Sequence, residues 1–550
     1  MANEPQRLQI RIDSILGGHS RTTHFANRDQ FRASVGIDPG SPLPGSAGST
    51  YSSSKYNVKP SGLIRPTRAG QLTGTMNQTP LWMKGARSST TVYVLDARGS
   101  TYTYAQGEGT YTALDDKGLT SGSGNGMEYY DNYMYIATNT NIVRYGPLDG
   151  TPTFTGNYWT GTLALTALEN NSYPFVLLPS GTSISLPNHY MHRHSDGKLY
   201  IADVVGNQGY LHYIKTTKTT VEGDTNNGST YQALRFGYGL VPICMESLGS
   251  ILVTALYERD STASTNNIGI RGQTTRAKIA FWDTLSQNFN SITWVEFPDG
   301  LITAMKNVNG TLYVFSAPAE KNTGFRVSRY VGGSTFEEVW SSEDGLAPFP
   351  GAVDGVSSRL VFGSNTFIPK STGCIFSLGL SANGISNGIF CPFSTSVSGD
   401  LMVTSLILPT FSGRGKGWDY PVFGSSDFSS AFELEGFGVG GSSNMNATWW
   451  SQLYRIGQRF KITKIRIPLA EPLLSTSSIT PTIYTDDGFG TSYAQTAITQ
   501  ANFGTQRTIV IHPTNVTGES NFWLELDWGN EYQHTVSLPI TIEYELIPED

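Results

Sequence analysis

The chain is poor in charged residues and cysteine, and it has no long hydrophobic run. Charged side chains make up only 15% of its 550 residues, whereas about 25% is usual in globular proteins. The cysteines, Cys244, Cys374 and Cys391, are far apart and show no metal-binding spacing such as CxxC, so we predict neither a disulfide-rich secreted fold nor a zinc site. Without a long apolar run or an apolar N-terminal segment, we expect no membrane insertion and no signal peptide.

Glycine and aromatic residues are abundant instead. The sequence contains 60 Gly, 28 Tyr and 26 Phe, together with many Ser, Thr and Asn. Such a composition favours short strands joined by tight turns. It disfavours helices, which prefer Ala, Leu, Glu, Lys and Arg. The predicted fold class is therefore all-β.

Residues 1–80 differ in character from the rest of the chain. After a short alternation of apolar and polar residues at positions 8–12, Gly, Ser, Pro, Arg and Asn dominate. This composition cannot bury enough apolar surface to fold alone. We predict an extended N-terminal arm, with a disordered tail as the alternative. Phe25 and Phe31 are candidate anchors through which the arm would contact a neighbouring subunit.

A loose repeat of turn, apolar strand, polar loop and second strand begins at residue 81. The inner strands of this repeat are predicted at residues 92–95, 133–138, 198–203, 251–256, 311–316, 359–364 and 401–406. Successive copies are separated by the length of a propeller blade, about 40 residues or more. Hairpin-turn residues such as Asn309-Gly310 stand just before these strands. Residues 81–410 are therefore predicted to form a β-propeller-like body of about six or seven blades, with another arrangement of hairpins as the alternative.

Residues 411–550 predict a separate C-terminal domain. Beyond Trp450 the strands are longer and alternate cleanly, which is typical of a jelly-roll-type β-sandwich. Trp449 and Trp450 are candidate interaction residues, because exposed tryptophan anchors interfaces and stacks on sugar rings. Strand parity assigns Trp528 to the core and Trp523 to the opposite, exposed face.

No catalytic, cofactor or metal site is predicted. The densest histidine cluster contains His189, His192 and His194, but strand parity separates His189 from the other two. Adjacent carboxylates such as Glu337 and Glu338 point to opposite faces of a strand, so they cannot form a glycosidase pair. Glycine- and serine-rich loops lack the strand-to-helix context of a nucleophile elbow. Carboxylates from separate blades could still converge, so a polysaccharide-degrading propeller enzyme stays as one alternative.

Both ends of the chain resemble structural proteins of tailed bacteriophages. The N-terminal match has an Ile-Asp-x-Ile-x-Gly-Gly stretch at residues 12–18 and a Phe-x-x-Ser-x-Gly-Ile-Asp-Pro stretch at residues 31–39, and the C-terminal match covers residues 454–547. The resemblance implies a component of the virion that is made in the host cytoplasm, and it supplies no catalytic residue. A propeller body with additional β-domains is similar, at fold level, to tail nozzle proteins.

The resemblance also implies the partners. We expect copies of the chain itself and other tail proteins, either near the portal and adaptor or at the tail tip. The net charge of −7 argues against a general nucleic-acid binder, but it would suit a ring through which DNA slides as passing cargo. The main alternative is a receptor-binding tail protein whose C-terminal sandwich binds a host surface glycan.

Overall fold

The computed structural model is almost entirely β-sheet and divides into two compact units. The first, the sandwich unit, comprises Met1–Gln71, Thr366–Ser396 and Phe437–Asp550, and the second, the propeller unit, comprises Leu72–Asn365 and Val397–Gly436. The structure describes residues 7–12, 50–53, 56–59, 63–66, 70–85, 91–105, 115–116, 124–138, 142–155, 175–177, 183–185, 189–205, 208–215, 221–222, 234–258, 277–286, 289, 292–317, 324–342, 345–356, 359–366, 372–381, 384–390, 402–408, 422–429, 432–437, 447–452, 454–470, 472–473, 478–486, 491–529, 536–537 and 539–548.

The strands are numbered here in chain order. The first five are Arg7–Ile12 (β1), Thr50–Ser53 (β2), Tyr56–Lys59 (β3), Leu63–Pro66 (β4) and Gly70–Thr75 (β5). The next ten are Pro80–Gly85 (β6), Thr91–Asp96 (β7), Thr101–Ala105 (β8), Asp115–Asp116 (β9), Gly126–Tyr130 (β10), Tyr133–Ala137 (β11), Ile142–Gly146 (β12), Thr153–Thr155 (β13), Phe175–Leu177 (β14) and Ser183–Ser185 (β15).

Further strands continue the series through the middle of the chain. They are Met191–Arg193 (β16), Lys198–Val205 (β17), Gln208–Lys215 (β18), Val221–Glu222 (β19), Leu234–Tyr238 (β20), Leu240–Leu248 (β21), Ile251–Glu258 (β22), Lys278–Trp282 (β23), Thr293–Glu296 (β24), Leu301–Val308 (β25), Thr311–Ala317 (β26), Phe325–Gly332 (β27), Thr335–Ser342 (β28), Val353–Val356 (β29), Arg359–Thr366 (β30), Thr372–Ser381 (β31), Gly384–Phe390 (β32), Met402–Ile407 (β33), Val422–Ser426 (β34) and Phe432–Phe437 (β35).

The C-terminal part adds strands and a short helix. The strands are Ala447–Gln452 (β36), Tyr454–Arg455 (β37), Phe460–Pro468 (β38), Ser478–Thr485 (β39), Ser492–Ala494 (β40), Ile498–Thr499 (β41), Thr508–Ile511 (β42), Val516–Gly518 (β43), Asn521–Gly529 (β44), Val536–Ser537 (β45) and Ile540–Leu546 (β46). The helices are a 3-10 turn at Pro350–Ala352 and the α-helix α1 at Gln500–Phe503. Of the helices in the described part of the chain, none has the length and apolar character needed to cross a membrane.

The propeller unit is a ring of seven consecutive sheets. In chain order they are β6–β9, β10–β13, β16–β19 with β20 added to β18, β21–β24, β25–β28, the pair β29–β30, and β33–β34–β35–β5. Their first strands, β6, β10, β16, β21, β25, β29 and β33, contact one another in that order, and β33 contacts β6. This closed succession of antiparallel sheets is a β-propeller, as the repeat predicts.

The ring closes by joining the two ends of the propeller unit. Strand β5 pairs beside β35 and so completes a sheet whose other strands come more than 300 residues later. A buried apolar cluster then fills the space between the seventh and first sheets; it contains Met76, Met83, Val92, Val94, Tyr102, Val422 and Leu434. Burial of this cluster depends on both ends of the unit being in place.

The assignment of inner strands is corrected by the structure. Six of the seven predicted inner strands lie on the second strands of their sheets, β7, β11, β17, β22, β26 and β30, and the seventh lies on the first strand β33. Second strands such as β22 are buried along almost their whole length, which makes them the most apolar segments of the repeat. The hairpin turns are confirmed: Asn309 and Gly310, with φ of 51° and 82°, adopt the left-handed conformation that a tight two-residue turn requires.

Buried polar groups fasten the segment leading into a sheet to that sheet's second strand. In the fifth sheet, Ser316 donates a hydrogen bond to Asp299, which also accepts one from Arg326 at 2.7 Å. In the sixth sheet, the Leu346 amide donates to the Asn365 side chain at 2.9 Å. A buried polar group that loses its partner costs about 1–3 kcal/mol, so these contacts fix the path between sheets.

The sandwich unit contains two larger sheets that pack face to face. One has the order β1–β46–β38–β42 with β43 on β38, and the other has the order β2–β36–β44–β39–β40 with β37 on β44 and β41 on β39. Phe460 of β38 packs on Phe522 of β44, with ring centroids 5.6 Å apart. Smaller elements of the unit are the sheet β3–β4–β45 and the hairpin β31–β32.

The prediction for Trp528 is confirmed and that for Trp523 is wrong. Trp528 is buried, but Trp523 is buried as well, with none of its surface exposed. Tyr484 on the neighbouring strand stacks on Trp523 with centroids 5.4 Å apart and planes at 4°. Strand β44 lies in the middle of its sheet, and Tyr484 of the neighbouring strand covers Trp523, whereas Glu525 and Asp527 on the same face are half-buried. Alternation alone therefore cannot assign the exposure of a single residue.

The N-terminal segment differs from the predicted arm wherever the structure describes it. Strand β1 pairs with β46, β2 with β36, and β4 with β45, so this part of residues 1–80 belongs to sheets of the same chain. Short alternating runs suit sheet edges, where strand partners supply the burial that the segment lacks alone. Both compact units are discontinuous, and their bounds therefore differ from the predicted domains 81–410 and 411–550. Phe25 and Phe31 lie outside the described residues.

Candidate functional site

The first strands of the propeller unit carry alternating basic and acidic residues. These are Lys84 on β6, Glu128 on β10, His192 on β16, Glu246 on β21, Lys306 on β25 and Asp354 on β29. We call these six residues the inner ring. Basic side chains come from the first, third and fifth sheets, and acidic side chains come from the second, fourth and sixth.

Each basic residue of the inner ring lies against the acidic residue of the next sheet. Lys84 Nζ is 2.7 Å from Glu128 Oε2, and Lys306 Nζ is 3.1 Å from Asp354 Oδ1. Asp354 also accepts a hydrogen bond at 2.8 Å from the amide of Leu408, which directly follows β33. The ion pairs therefore join the first sheet to the second and the fifth to the sixth, and Asp354 extends the connection to the seventh.

The three carboxylates of the inner ring are held in the same way. Glu128 accepts a hydrogen bond from the amide of Tyr129 at 3.1 Å, Glu246 from Ser247 at 2.9 Å, and Asp354 from Gly355 at 2.8 Å. A hydrogen bond from the next amide of the same strand restricts the carboxylate to one orientation. The orientation needed for contact with the preceding sheet is therefore set locally.

Burial shifts the pKa values of the inner-ring residues of the third and fourth sheets, His192 and Glu246. Burial, together with the positive charges of Lys84 and Lys306, lowers the pKa of His192 to about 3 despite the opposing influence of Glu128. Burial also raises the pKa of Glu246, although Lys306 opposes this. At neutral pH His192 is therefore uncharged, and its 3.7 Å separation from Glu246 Oε1 is not an ion pair.

Lys306 behaves differently because two carboxylates face it. Burial alone would lower its pKa, but the negative charges of Asp354 and Glu246 outweigh burial and raise the pKa overall. The Lys306 ammonium therefore stays charged at neutral pH. The fifth and sixth sheets are consequently joined by a true ion pair, whereas the third and fourth are joined by neutral hydrogen bonds.

Ser247 links the third and fourth sheets through two imidazoles. Its Oγ lies 2.7 Å from His192 Nε2 and 2.8 Å from His194 Nδ1. His194 Nε2 lies 3.2 Å from the carbonyl oxygen of Ser250, so this nitrogen carries the proton and Nδ1 accepts from the Ser247 hydroxyl. His192 then donates from Nε2 to Ser247 Oγ. Asn307 adds a bond from the fifth sheet to the Ser247 carbonyl at 2.6 Å.

The contacts of Ser247 favour a cross-link over a catalytic triad. A serine beside a histidine is the minimal nucleophile and base pair. In a triad, however, the carboxylate contacts the ring nitrogen opposite the serine. Here Glu246 approaches Nε2 of His192, the same nitrogen that faces Ser247. The arrangement thus orders a hydroxyl between two neighbouring sheets instead of polarising an imidazole toward it.

His189 belongs to a different network from His192 and His194, but not for the reason of strand parity, because it precedes β16 and has a φ of 54°. Its Nδ1 lies 3.5 Å from Asp203 Oδ1, and His212 Nε2 lies 3.2 Å from Asp203 Oδ2, with all three side chains buried. The three histidines of the sequence cluster are thus divided between two networks. Within the described ranges, no three His, Cys, Asp or Glu side chains form a group that could hold a metal ion.

The inner ring follows a sequence repeat that the strand pattern does not reveal. Methionine directly precedes the ring residue in the first five sheets, at Met83, Met127, Met191, Met245 and Met305. All five methionine side chains are buried. The pair of a buried methionine and an inward polar residue therefore marks the first strand of each of these sheets.

Of the predicted interaction residues, only the tryptophan pair falls on a described strand. Trp449 and Trp450 lie on β36, where the register pairs them with Leu526 and Glu525 of β44. Phe25 and Phe31 are outside the described ranges. The structure therefore places Trp449 and Trp450 in the sandwich unit, and not on the strands of the propeller unit that carry the inner ring.

Comparison with known proteins gives likeness of fold. No protein-family model matches the chain, and no curated protein matches it in sequence. Among solved structures it is similar to the WD40 domain of Neurospora crassa Pan2, with a TM-score of 0.39 and 8% identity, covering 68% of this chain and 96% of that one. It is also similar to the β-propeller domain of Myceliophteria thermophila Cps50 (Swd1), with a TM-score of 0.41 and 7% identity, covering 67% of this chain and 99% of that one.

Another similar structure is that of the RRP9 WD40 repeats, with a TM-score of 0.40 and 10% identity, covering 68% of this chain and 98% of that one. All of these neighbours are β-propellers. The closed ring of sheets itself shows that the body of this chain is a β-propeller within a nearly all-β protein.

Proposed function

We propose that this chain is a non-enzymatic structural protein of a tailed-bacteriophage virion, assembled with copies of itself as a ring of the tail. The observation that carries the proposal lies in the sandwich unit. Strand β1 ends at Ile12, the first residue of the N-terminal stretch that resembles phage structural proteins, and it pairs with β46 near the end of the C-terminal segment that resembles them. The start of the N-terminal match and the end of the C-terminal match are thus brought together in one sheet.

The inner ring supports an architectural role for the propeller. Its side chains connect neighbouring sheets in pairs, and Asp354 and Ser247 extend the connections to a third sheet. Buried polar networks whose members are all paired make a module rigid. Because side chains of neighbouring sheets meet at the inner ring, DNA as passing cargo would run along the axis of an assembly and not through one propeller.

The glycan-binding alternative is weakened by Trp523. A ring that stacks on a sugar must reach solvent, whereas Trp523 is buried and stacked on Tyr484. Trp449 and Trp450 remain the residues through which that alternative would act. Binding of host polysaccharide by the purified chain, lost in Trp450→Ala, would favour it over the structural role.

Quantitative mass spectrometry of purified phage particles tests the proposal. We expect the chain in every particle preparation, at a fixed copy number relative to the portal protein, after nuclease treatment and density-gradient purification. A soluble host protein added to the lysate before purification provides the carry-over control. Recovery of the chain from infected cells but not from particles would refute the proposal.

A further inference from the structure

The edge of strand β46, which β1 covers, is complementary to a strand with the charge pattern of β1. In the register, Arg7 lies opposite Glu545, Gln9 opposite Glu543 and Arg11 opposite Thr541. Arg7 Nε forms an ion pair with Glu545 Oε1 at 3.1 Å. The basic strand β1 is therefore complementary in charge to the acidic strand that it covers.

The alternation of apolar and polar residues along β1 is a second feature that the β46 edge recognises. Leu8 and Ile10 are half-buried, and Ile12 is buried in the sandwich core, whereas Arg7, Gln9 and Arg11 are exposed. The edge thus selects a strand that is apolar at every second position and carries polar or basic residues in between. A shift by one residue would turn the apolar side chains to solvent, so the register is strongly specified.

The connection between β1 and the next described strand is long. Residues 13–49 separate Ile12 from Thr50, the first residue of β2. At about 3.3–3.6 Å per residue, a chain of this length can span up to roughly 120 Å. The β1 strand of one copy can therefore reach the β46 edge of an adjacent copy and make the same contacts there.

We propose that β46 is the docking surface for β1 of a second copy of this chain, so that neighbouring subunits are joined by exchanged N-terminal strands. This inference rests on the proposed function for the assembly that brings the copies together. Exchange replaces each internal contact by an identical one from the neighbour, which makes it a low-cost route to association. Within an assembly, the neighbour's edge is present at high effective concentration.

Disulfide trapping between two differently tagged copies tests strand exchange. One copy carries Gln9→Cys and the other carries Glu543→Cys, because these residues are direct partners in the register. Directly opposite residues of antiparallel strands are about 4.5–5.5 Å apart at Cα, which is within the range of a disulfide. After co-expression of the two copies in equal amounts and mild oxidation, we expect a covalent dimer containing both tags to approach half of the assembled material, which is the limit that random mixing sets.

Two controls define the background of this experiment. The parent chain, with its native cysteines, is oxidised in parallel. A second mixture pairs Gln9→Cys with Lys461→Cys, because Lys461 lies on β38, on the far side of β46 from β1. We expect neither mixture to exceed one tenth of the covalent dimer that the matched pair gives.

Charge reversal gives an independent readout. Glu545→Arg should reduce the trapped dimer several-fold, and Arg7→Glu added to the same chains should restore it, because the ion pair re-forms with opposite polarity. Failure of this rescue, with folding intact by circular dichroism, would contradict recognition through the β46 edge.

The outcomes separate exchange from the proposed function. Strand exchange would be overturned if electron microscopy shows rings but no dimer containing both tags forms, and if the Gln9→Cys/Glu543→Cys double variant closes an internal disulfide. The virion role would stay intact in that case. A monomeric chain that closes only its internal disulfide and is missing from particles would overturn both. A dimer containing both tags in particles would support both.

Discussion

Removal of the Asp354 carboxylate tests whether the inner ring holds neighbouring sheets together. Asp354 contacts Lys306 of the fifth sheet at 3.1 Å and the Leu408 amide of the seventh sheet at 2.8 Å. Asp354→Ala removes both contacts. Asp354→Asn keeps an oxygen that can accept from Leu408 but removes the negative charge opposite Lys306.

The expected loss follows from the burial of the pair. The side chains of Lys306 and Asp354 are 28% and 19% exposed, so the pair is more buried than a surface salt bridge but not fully desolvated. Loss of one partner of a fully buried pair costs about 3–5 kcal/mol, and an orphaned amide costs about 1–3 kcal/mol. We therefore expect Asp354→Ala to destabilise the protein by about 2–4 kcal/mol and Asp354→Asn by about 1–2 kcal/mol.

Urea unfolding and hydrogen exchange together provide the assay. The midpoint for propeller unfolding should fall in the order wild type, Asp354→Asn, Asp354→Ala. Exchange at the Leu408 amide should accelerate most in Asp354→Ala. The matched control is Glu337→Gln, because the Arg329–Glu337 pair is about one-third exposed on both sides and should contribute no more than about 0.5 kcal/mol. Equal midpoints for Asp354→Ala and Glu337→Gln, with unchanged exchange at Leu408, would refute the reasoning.

Three further variants or treatments test other parts of the fold. Leu434→Ala opens a cavity in the cluster that closes the propeller, and we expect a loss of about 2–5 kcal/mol in urea unfolding; a loss below 1 kcal/mol would contradict closure by this cluster. His192 stays neutral down to about pH 3 in the folded protein, against 6.5 ordinarily, so its contribution is complete above pH 6.5 and falls by up to roughly 1.4 kcal/mol per pH unit below it. His192→Gln should therefore lose less stability than wild type between pH 7 and pH 4, and parallel urea midpoints across this range would exclude the effect. Burial raises the pKa of the Cys244 thiol, so iodoacetamide should label Cys244 at pH 8 only in urea; labelling in the native protein, mapped by mass spectrometry, would show that the site opens.

The repeat was predictable because second strands are buried on both faces. Strand β22 and its equivalents form the most apolar segments of the propeller, and the turns before them carry residues such as Asn309-Gly310 that favour tight hairpins. Because second strands are the most apolar, the sequence pattern also led us to assign them, wrongly, as the innermost strands of their sheets. First strands interrupt their apolar pattern with an inward polar residue, as Glu246 does in β21, and so resemble ordinary half-buried strands.

The inner ring was not predictable from strand patterning, since its pairs join residues of different sheets. Lys306 and Asp354 are separated in sequence by the three further strands of the fifth sheet and a loop, and they meet only because successive sheets pack side by side in the ring. One local signal was present in the sequence: a methionine before a charged residue or histidine recurs at the first five sheets. The repeat of that pair, aligned to the blade spacing, would have located the ring.

Two other differences between the prediction and the structure also arise from contacts between residues that are distant in sequence. Trp523 and the N-terminal strands are both covered by parts of the chain distant in sequence. Alternation along a single strand reports only which residues share a face. It does not report which side chains or strands cover that face, which is why Trp523 was misassigned and the pairing of β1 and β2 was not predicted.

A cryo-electron microscopy reconstruction of purified phage particles tests the central claim most directly. We expect density for several copies of this chain repeated around the tail axis, each with a seven-sheet ring and a two-sheet sandwich whose outer strand is β1. A tail that contains no such density, in particles from a phage that expresses the chain, would contradict the account.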